Sequence, residues 1–123
     1  MSARKSKLFI TQKALRDIAE VEQYSAKEWG RKVANNYLSD IESALIRIQE
    51  DSELLRAESD LHPDLRFYRV NKHLLVCDVQ PKAIFLLTVI HASRDIPSRL
   101  AEMQPALAAE VELLRTQIGK KKR

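Results

Sequence analysis

The sequence predicts an α+β fold in the order β-α-α-β-β-β. An N-terminal helical hairpin packs on a small, mainly antiparallel four-stranded sheet, and a C-terminal helix is added. Three observations carry this expectation. Two adjoining segments between Gln12 and Glu50 repeat apolar residues at helical spacing and break only at Gly30. The runs Leu65–Val70, His73–Val79 and Ala83–His91 have strand character and are separated by turn residues. The last two runs are apolar at almost every position, so their sheet must be covered on both faces.

Lys7-Leu8-Phe9-Ile10-Thr11 reads as a short strand, and the Thr11 hydroxyl can cap a helix starting at Gln12 or Lys13. Ala14, Ile18, Val21 and Ser25 form the apolar stripe of that helix, with Leu15, Tyr24 and Trp29 beside it. Gly30 is its natural stop. A second helix runs from about Arg31 to Glu50 and buries Val33, Tyr37, Ile41, Ala44, Leu45 and Ile48. Tyr24, Trp29 and Tyr37 read as packing residues of this hairpin. Asp51 to Asp64 is polar and irregular and reads as a loop, with Leu54, Leu55 and Leu61 as anchors. Asn71-Lys72 suits a two-residue hairpin turn, and Gln80-Pro81-Lys82 suits a second turn.

After the last strand, Pro97 suits the first turn of a helix, with Asp95 capping it. Ser98 to Met103 forms a short piece, and Pro105 interrupts it. A regular helix follows over 106–118, with Leu107, Val111, Leu114 and Ile118 on one side and Gly119 as its end. The chain reads as one domain over 1–119 followed by a basic tail over 120–123.

Strand alternation places Ile84, Leu86, Thr88 and Ile90 on one face, and Phe85, Leu87, Val89 and His91 on the other. The hairpin covers one face. The second cover is either the C-terminal helix or a helix of another protein. Covering such a face is worth about 5–10 kcal/mol before ordering costs.

Composition narrows the function classes. The chain has 123 residues, 45% hydrophobic and 31% charged, as a single globular domain does. The longest apolar run, Ala83–Ile90, is far short of the ~20 residues a membrane span needs. Met1–Lys5 is basic with no apolar stretch after it, so no signal peptide is expected. A single cysteine, Cys77, lies mid-strand among apolar residues and reads as a buried hydrophobe in a cytoplasmic protein. The net charge of +4 equals the four cations Lys120–Arg123; the remainder balances at 17 basic against 17 acidic residues. Three widely spaced histidines do not form a metal pattern, and no phosphate loop or catalytic triad occurs, so no cofactor is expected.

The residues carry a family resemblance from about Ile10 to Leu100. Ala14-Leu15-Arg16-Asp17-Ile18 through Tyr24 to Trp29-Gly30 resembles the "AL-D(L/I)…Y…WG" helix of the RelE/ParE toxin superfamily of type II toxin–antitoxin systems. Ala34…Tyr37-Leu38…Ile41…Leu45…Ile48 is similar to its second helix. Leu65-Arg66-Phe67-Tyr68-Arg69-Val70, His73-Leu74-Leu75-Val76 and Val89-Ile90-His91-Ala92-Ser93-Arg94-Asp95 resemble its strand motifs "LR-x-Y-x-V", "H-x-(I/L)" and "V-x-H-x-x-(R/M)-D".

The resemblance implies a toxin neutralised by a cognate antitoxin, with a dimer or a heterotetramer as the assembly. It leans to the ParE branch, which inhibits DNA gyrase by binding. On that reading Arg66, Tyr68, Arg94, Leu107, Val111, Leu114 and Ile118 contact target or antitoxin, and no catalytic residue is assigned. The alternative is a RelE-like endoribonuclease acting on mRNA at the ribosome, with Arg66, Arg69, Lys72, His73, His91 and Arg94 as phosphate-binding and acid/base groups. RelE-like members use a basic sheet surface, often with a late Tyr or His. Here no tyrosine follows His91, and 65–95 is only mildly basic. A third alternative is a non-toxic interaction module on the same fold.

The single residues read two ways. His73 and His91 form an acid/base pair or hydrogen-bonded strand-end histidines. Arg66 holds a phosphate or an acidic partner group, or pairs with an acid such as Asp95.

Overall fold

The computed structural model describes residues 6–93 and 95–121. The elements run β1 (Lys7–Ile10), α1 (Gln12–Trp29), α2 (Arg31–Glu50), a 3-10 turn (Ser52–Leu54), β2 (Arg56–Ala57), β3 (Arg66–Val70), β4 (His73–Gln80), β5 (Ala83–His91) and α3 (Ile96–Lys121). The sheet has five strands in the order β1-β5-β4-β3-β2. β1 runs parallel to β5, and every other pairing is antiparallel.

Local chemistry sets the boundaries of the hairpin. The Thr11 hydroxyl accepts the Ala14 N–H at 3.1 Å and donates to the Leu87 carbonyl at 2.8 Å, which caps α1 and ties it to the sheet. Gly30 joins the helices at φ +94°, a conformation that L side chains rarely adopt. The small residues Ala14, Ser25, Ala34 and Ala44 are all buried and let the helices approach closely. The two tight strand turns also use positive φ, at Asn71 (+53°) and at Lys82 (+69°) behind Pro81.

Four expectations are corrected. The sheet has five strands rather than four, because Arg56 and Ala57, inside the segment read as a loop, pair with Phe67 and Arg66. Both residues are exposed, so no hydrophobic period marks them. The C-terminal helix is not confined to 106–118. It is continuous from Ile96 to Lys121, with Pro105 inside and Gly119 passed through. Proline removes one backbone bond and costs about 3 kcal/mol, yet the helix is held on the sheet on both sides of Pro105, by Ile96 and Leu100 before it and by Val111 and Leu114 after it.

The third correction concerns the hairpin's buried stripe. Tyr24 is 59% exposed, Trp29 56% and Val33 41%, whereas Asp17 and Ala34 are buried. The buried faces are narrow, and the large side chains lie on their flanks.

The fourth concerns strand faces. Val76 pairs with Thr88 while Cys77 pairs with Leu86, so Leu87 is an extra residue and β5 carries a bulge. The bulge inverts the alternation after it. Val89 joins Ile84 and Leu86 on the hairpin side. Ile90 lies on the opposite side with Phe67 and Val76.

The second face is covered by the chain's own α3. Ile96 and Leu100 pack with Phe67, Val76 and Ile90, and Val111 packs with Phe85 and Leu87. Glu110 accepts the Gln12 N–H at 2.5 Å, which latches α3 to the start of α1. An anion at a helix N-terminus is favourable there. Asp95 caps α3 as expected, accepting the Ser98 hydroxyl at 2.9 Å.

Candidate partner-binding site

β5 is nine residues long, but β1 pairs only with Ala83–Leu86. Beyond Leu86, α1 runs beside the open edge of β5. The Asp17 carboxylate fills that position. It accepts the Val89 N–H at 3.1 Å and the Thr88 hydroxyl, and its other oxygen meets Lys13 Nζ at 2.5 Å. Thr11 serves the bulge in the same way, donating its N–H to the Leu86 carbonyl at 3.1 Å. The polar groups released by the bulge are thus satisfied from α1.

At the end of β5 two histidines meet across strands. His73 pairs with His91, and their ring centroids lie 5.1 Å apart at 75°. His73 Nδ1 is hydrogen-bonded to the Tyr37 hydroxyl, which also accepts the Lys72 N–H at 3.2 Å. The Ser93 N–H donates to His91 Nδ1 at 3.1 Å, so that nitrogen is unprotonated and the neutral ring carries its hydrogen on Nε2. Burial, and then the neighbouring His91, push the His73 pKa down to about 4. The Tyr37 hydroxyl is raised, chiefly by burial. Burial also raises the Cys77 thiol, which suits a packing role rather than a nucleophile.

These residues floor a groove of about 1090 Å³ between α1 and the first turns of α3. Tyr24 and Trp29 line its α1 side, in edge-to-face contact at 5.6 Å, and Arg99 and Met103 line its α3 side.

The other candidates are scattered. Arg66 is opposite Cys77, four residues along β4 from His73, which is roughly 13 Å at strand spacing. Arg69 is exposed and donates its Nε to the Asn71 carbonyl at 2.8 Å. Tyr68 packs against the hairpin-side core, and no pairing of Arg66 with Asp95 occurs among the described residues. Val111 and Leu114 pack on the α3 side of the sheet. Arg94 and the side chains of Leu107 and Ile118 lie outside the described residues. A neutral imidazole with a pKa of about 4 is a weak base at pH 7.

Among the described residues no cluster of three or more His, Cys, Asp or Glu is placed to hold a metal ion. No described helix is long and apolar enough to cross a membrane. Sequence reasoning missed Asp17. The signal was an acid inside the apolar stripe of an amphipathic helix.

Three comparisons bear on this fold and site. The chromosomal ParDE TA system from P. aeruginosa contains a chain that superposes with a TM-score of 0.65 at 17% identity, covering 74% of this chain and 100% of that one. At that identity the likeness concerns the fold alone. A curated relative, the Toxin ParE of Escherichia coli, is 26% identical over 96 residues, 76% of this chain and 91% of the relative. The pattern of the family described as "ParE toxin of type II toxin-antitoxin system, parDE" matches residues 8–96, from β1 through all five strands to the first residue of α3. The chain therefore belongs to the ParE toxin family of type II toxin–antitoxin systems.

Proposed function

We propose that the chain is a toxin that binds and inhibits DNA gyrase, and that a cognate antitoxin neutralises it in the cytoplasm. The observation that carries this reading is the family match across residues 8–96. The site chemistry supports it: the groove offers hydrogen-bonding, aromatic and cationic contacts, and its half-buried His73 is a weak base at neutral pH. On this reading Arg66 and Tyr68 on β3, and Arg94 beyond β5, contact target or antitoxin. Leu107, Val111, Leu114 and Ile118 belong to the helix that closes the second face, and a partner engages them by shifting α3. Residues 1–119 act as one toxin domain, and the assembly with antitoxin is a dimer or a heterotetramer.

The reading is tested in cells. Inducing the chain should arrest growth and relax a reporter plasmid, and co-expressing the cognate antitoxin should restore both. Growth arrest with unchanged plasmid topology would contradict the gyrase target. No arrest at all would contradict the toxin.

A further inference from the structure

The sheet has two edge strands, and only one of them is blunted by its length. β2 has two residues, too few to template another strand. β1 has four, with no proline and no bulge, and its one charge, Lys7, lies at the end. The Lys7 N–H donates to the Lys82 carbonyl at 3.0 Å, and the Thr11 N–H to the Leu86 carbonyl at 3.1 Å. Alternation along a parallel ladder therefore turns the backbone of Lys7, Phe9 and Thr11 towards β5 and that of Leu8 and Ile10 outward. Among the described residues the outward N–H and carbonyl groups of Leu8 and Ile10 have no hydrogen-bond partner. These two residues stand symmetrically about Phe9. An antiparallel second copy centred there sets Leu8 of each copy opposite Ile10 of the other. Each opposed pair exchanges both of its bonds, and no group is left over. Lys7 then faces Thr11 of the other copy, so no like charges oppose.

Side chains mark the same edge. Phe9 stacks on Phe85 at 5.3 Å. Opposite its own copy it forms a non-hydrogen-bonded pair, the closer kind across strands, so the four rings make one row. Three large apolar side chains that are left exposed lie about one helical turn from groups bonded at the ends of β1. Ile46, 50% exposed, comes three residues before Gln49, whose carbonyl accepts the Ser6 N–H at 3.0 Å. Leu15, 47% exposed, donates its N–H to the Thr11 carbonyl at 3.0 Å. Leu113, 58% exposed, comes three residues after Glu110, which holds the Gln12 N–H. Pairing about Phe9 sets Ser6 opposite Gln12 of the other copy, which brings Ile46 of one towards Leu15 of the other on the hairpin side. We propose that the chain pairs with a second copy of itself through β1, antiparallel and centred on Phe9, so that two sheets join into one. Such an edge contact buries less than about 1,200 Å², the low end of specific interfaces, and associates in the micromolar range. The dimer requires neither gyrase nor antitoxin.

Sedimentation of the full-length chain alone, from about 1 μM to about 1 mM, measures the association. The mass should double across that range. The Leu8 and Ile10 amides should exchange about tenfold more slowly in the dimer, while the inward Phe9 amide changes little. Leu8→Pro removes an N–H that bonds nothing in the monomer, at an edge position that tolerates proline, and should abolish the dimer. Ile46→Glu and Leu113→Glu alter exposed helix positions, and each should weaken the dimer about tenfold without changing the fold. A chain that stays monomeric at about 1 mM overturns the proposal. So does a dimer whose Leu8 and Ile10 amides exchange as they do in the monomer, or one that Ile46→Glu and Leu113→Glu leave equally tight.

Discussion

Replacing Asp17 with alanine removes the acceptor of two buried donors, the Val89 N–H and the Thr88 hydroxyl, and of one ion pair with Lys13. Each orphaned buried donor costs about 1–3 kcal/mol. The ion pair, with Lys13 a third exposed, adds about 0.3–0.5 kcal/mol. The sum is about 2–6 kcal/mol, against a total of about 5–15 kcal/mol for a domain of ordinary stability. Asp17→Asn keeps one carbonyl acceptor and should cost about 1–2 kcal/mol. Urea unfolding followed by circular dichroism measures both. A cycle with Thr88→Val isolates the shared term, because the double variant should lose less than the two single losses added. If Asp17→Ala costs under about 1 kcal/mol, or if the two positions are additive, Asp17 does not close the edge of β5 as described.

Two further perturbations follow from the same structure. Leu100→Ala empties a side chain that is 2% exposed between α3 and the sheet. It should cost about 2–4 kcal/mol in urea unfolding, and a loss near zero would mean that α3 does not cover the second face in solution. His73 is held neutral down to a pKa of about 4, whereas in an unfolded chain its pKa is about 6.5. Between those values the unfolded state binds a proton that the folded state refuses, so stability falls as pH drops from 6.5 to 4. For a half-buried ring the loss is about 1 kcal/mol after solvent screening. His73→Phe should flatten that part of the stability–pH curve, and an unchanged slope would contradict the assignment.

Much of the fold was legible because its signals are periodic or local. The bounds Arg31–Glu50 and Ala83–His91 follow from apolar spacing and turn residues, and the structure reproduces them. The Thr11 cap and the Asp95 cap follow from hydroxyl and carboxylate chemistry ahead of a helix. What escaped was non-periodic. Leu87 is the extra residue of a bulge inside an unbroken apolar run, where no alternation exists to be interrupted. Tyr24 and Trp29 lie at helical spacing beside the buried stripe, and spacing alone does not distinguish a flank from a core. Pro105 read as a break because local propensity opposes it, and tertiary contacts on both sides of Pro105 outweigh that propensity. The site escaped for the same reason. Its groove is made where β1 ends short of β5, a fact of pairing length rather than of any motif.

On the proposed function this ParE-family chain acts by holding gyrase rather than by cutting RNA. A supercoiling assay with purified gyrase, relaxed plasmid and the purified chain measures that directly. The expected result is a dose-dependent loss of supercoiling that preincubation with the antitoxin reverses. Full supercoiling at saturating chain, together with new mRNA ends mapped on translating ribosomes, would contradict it.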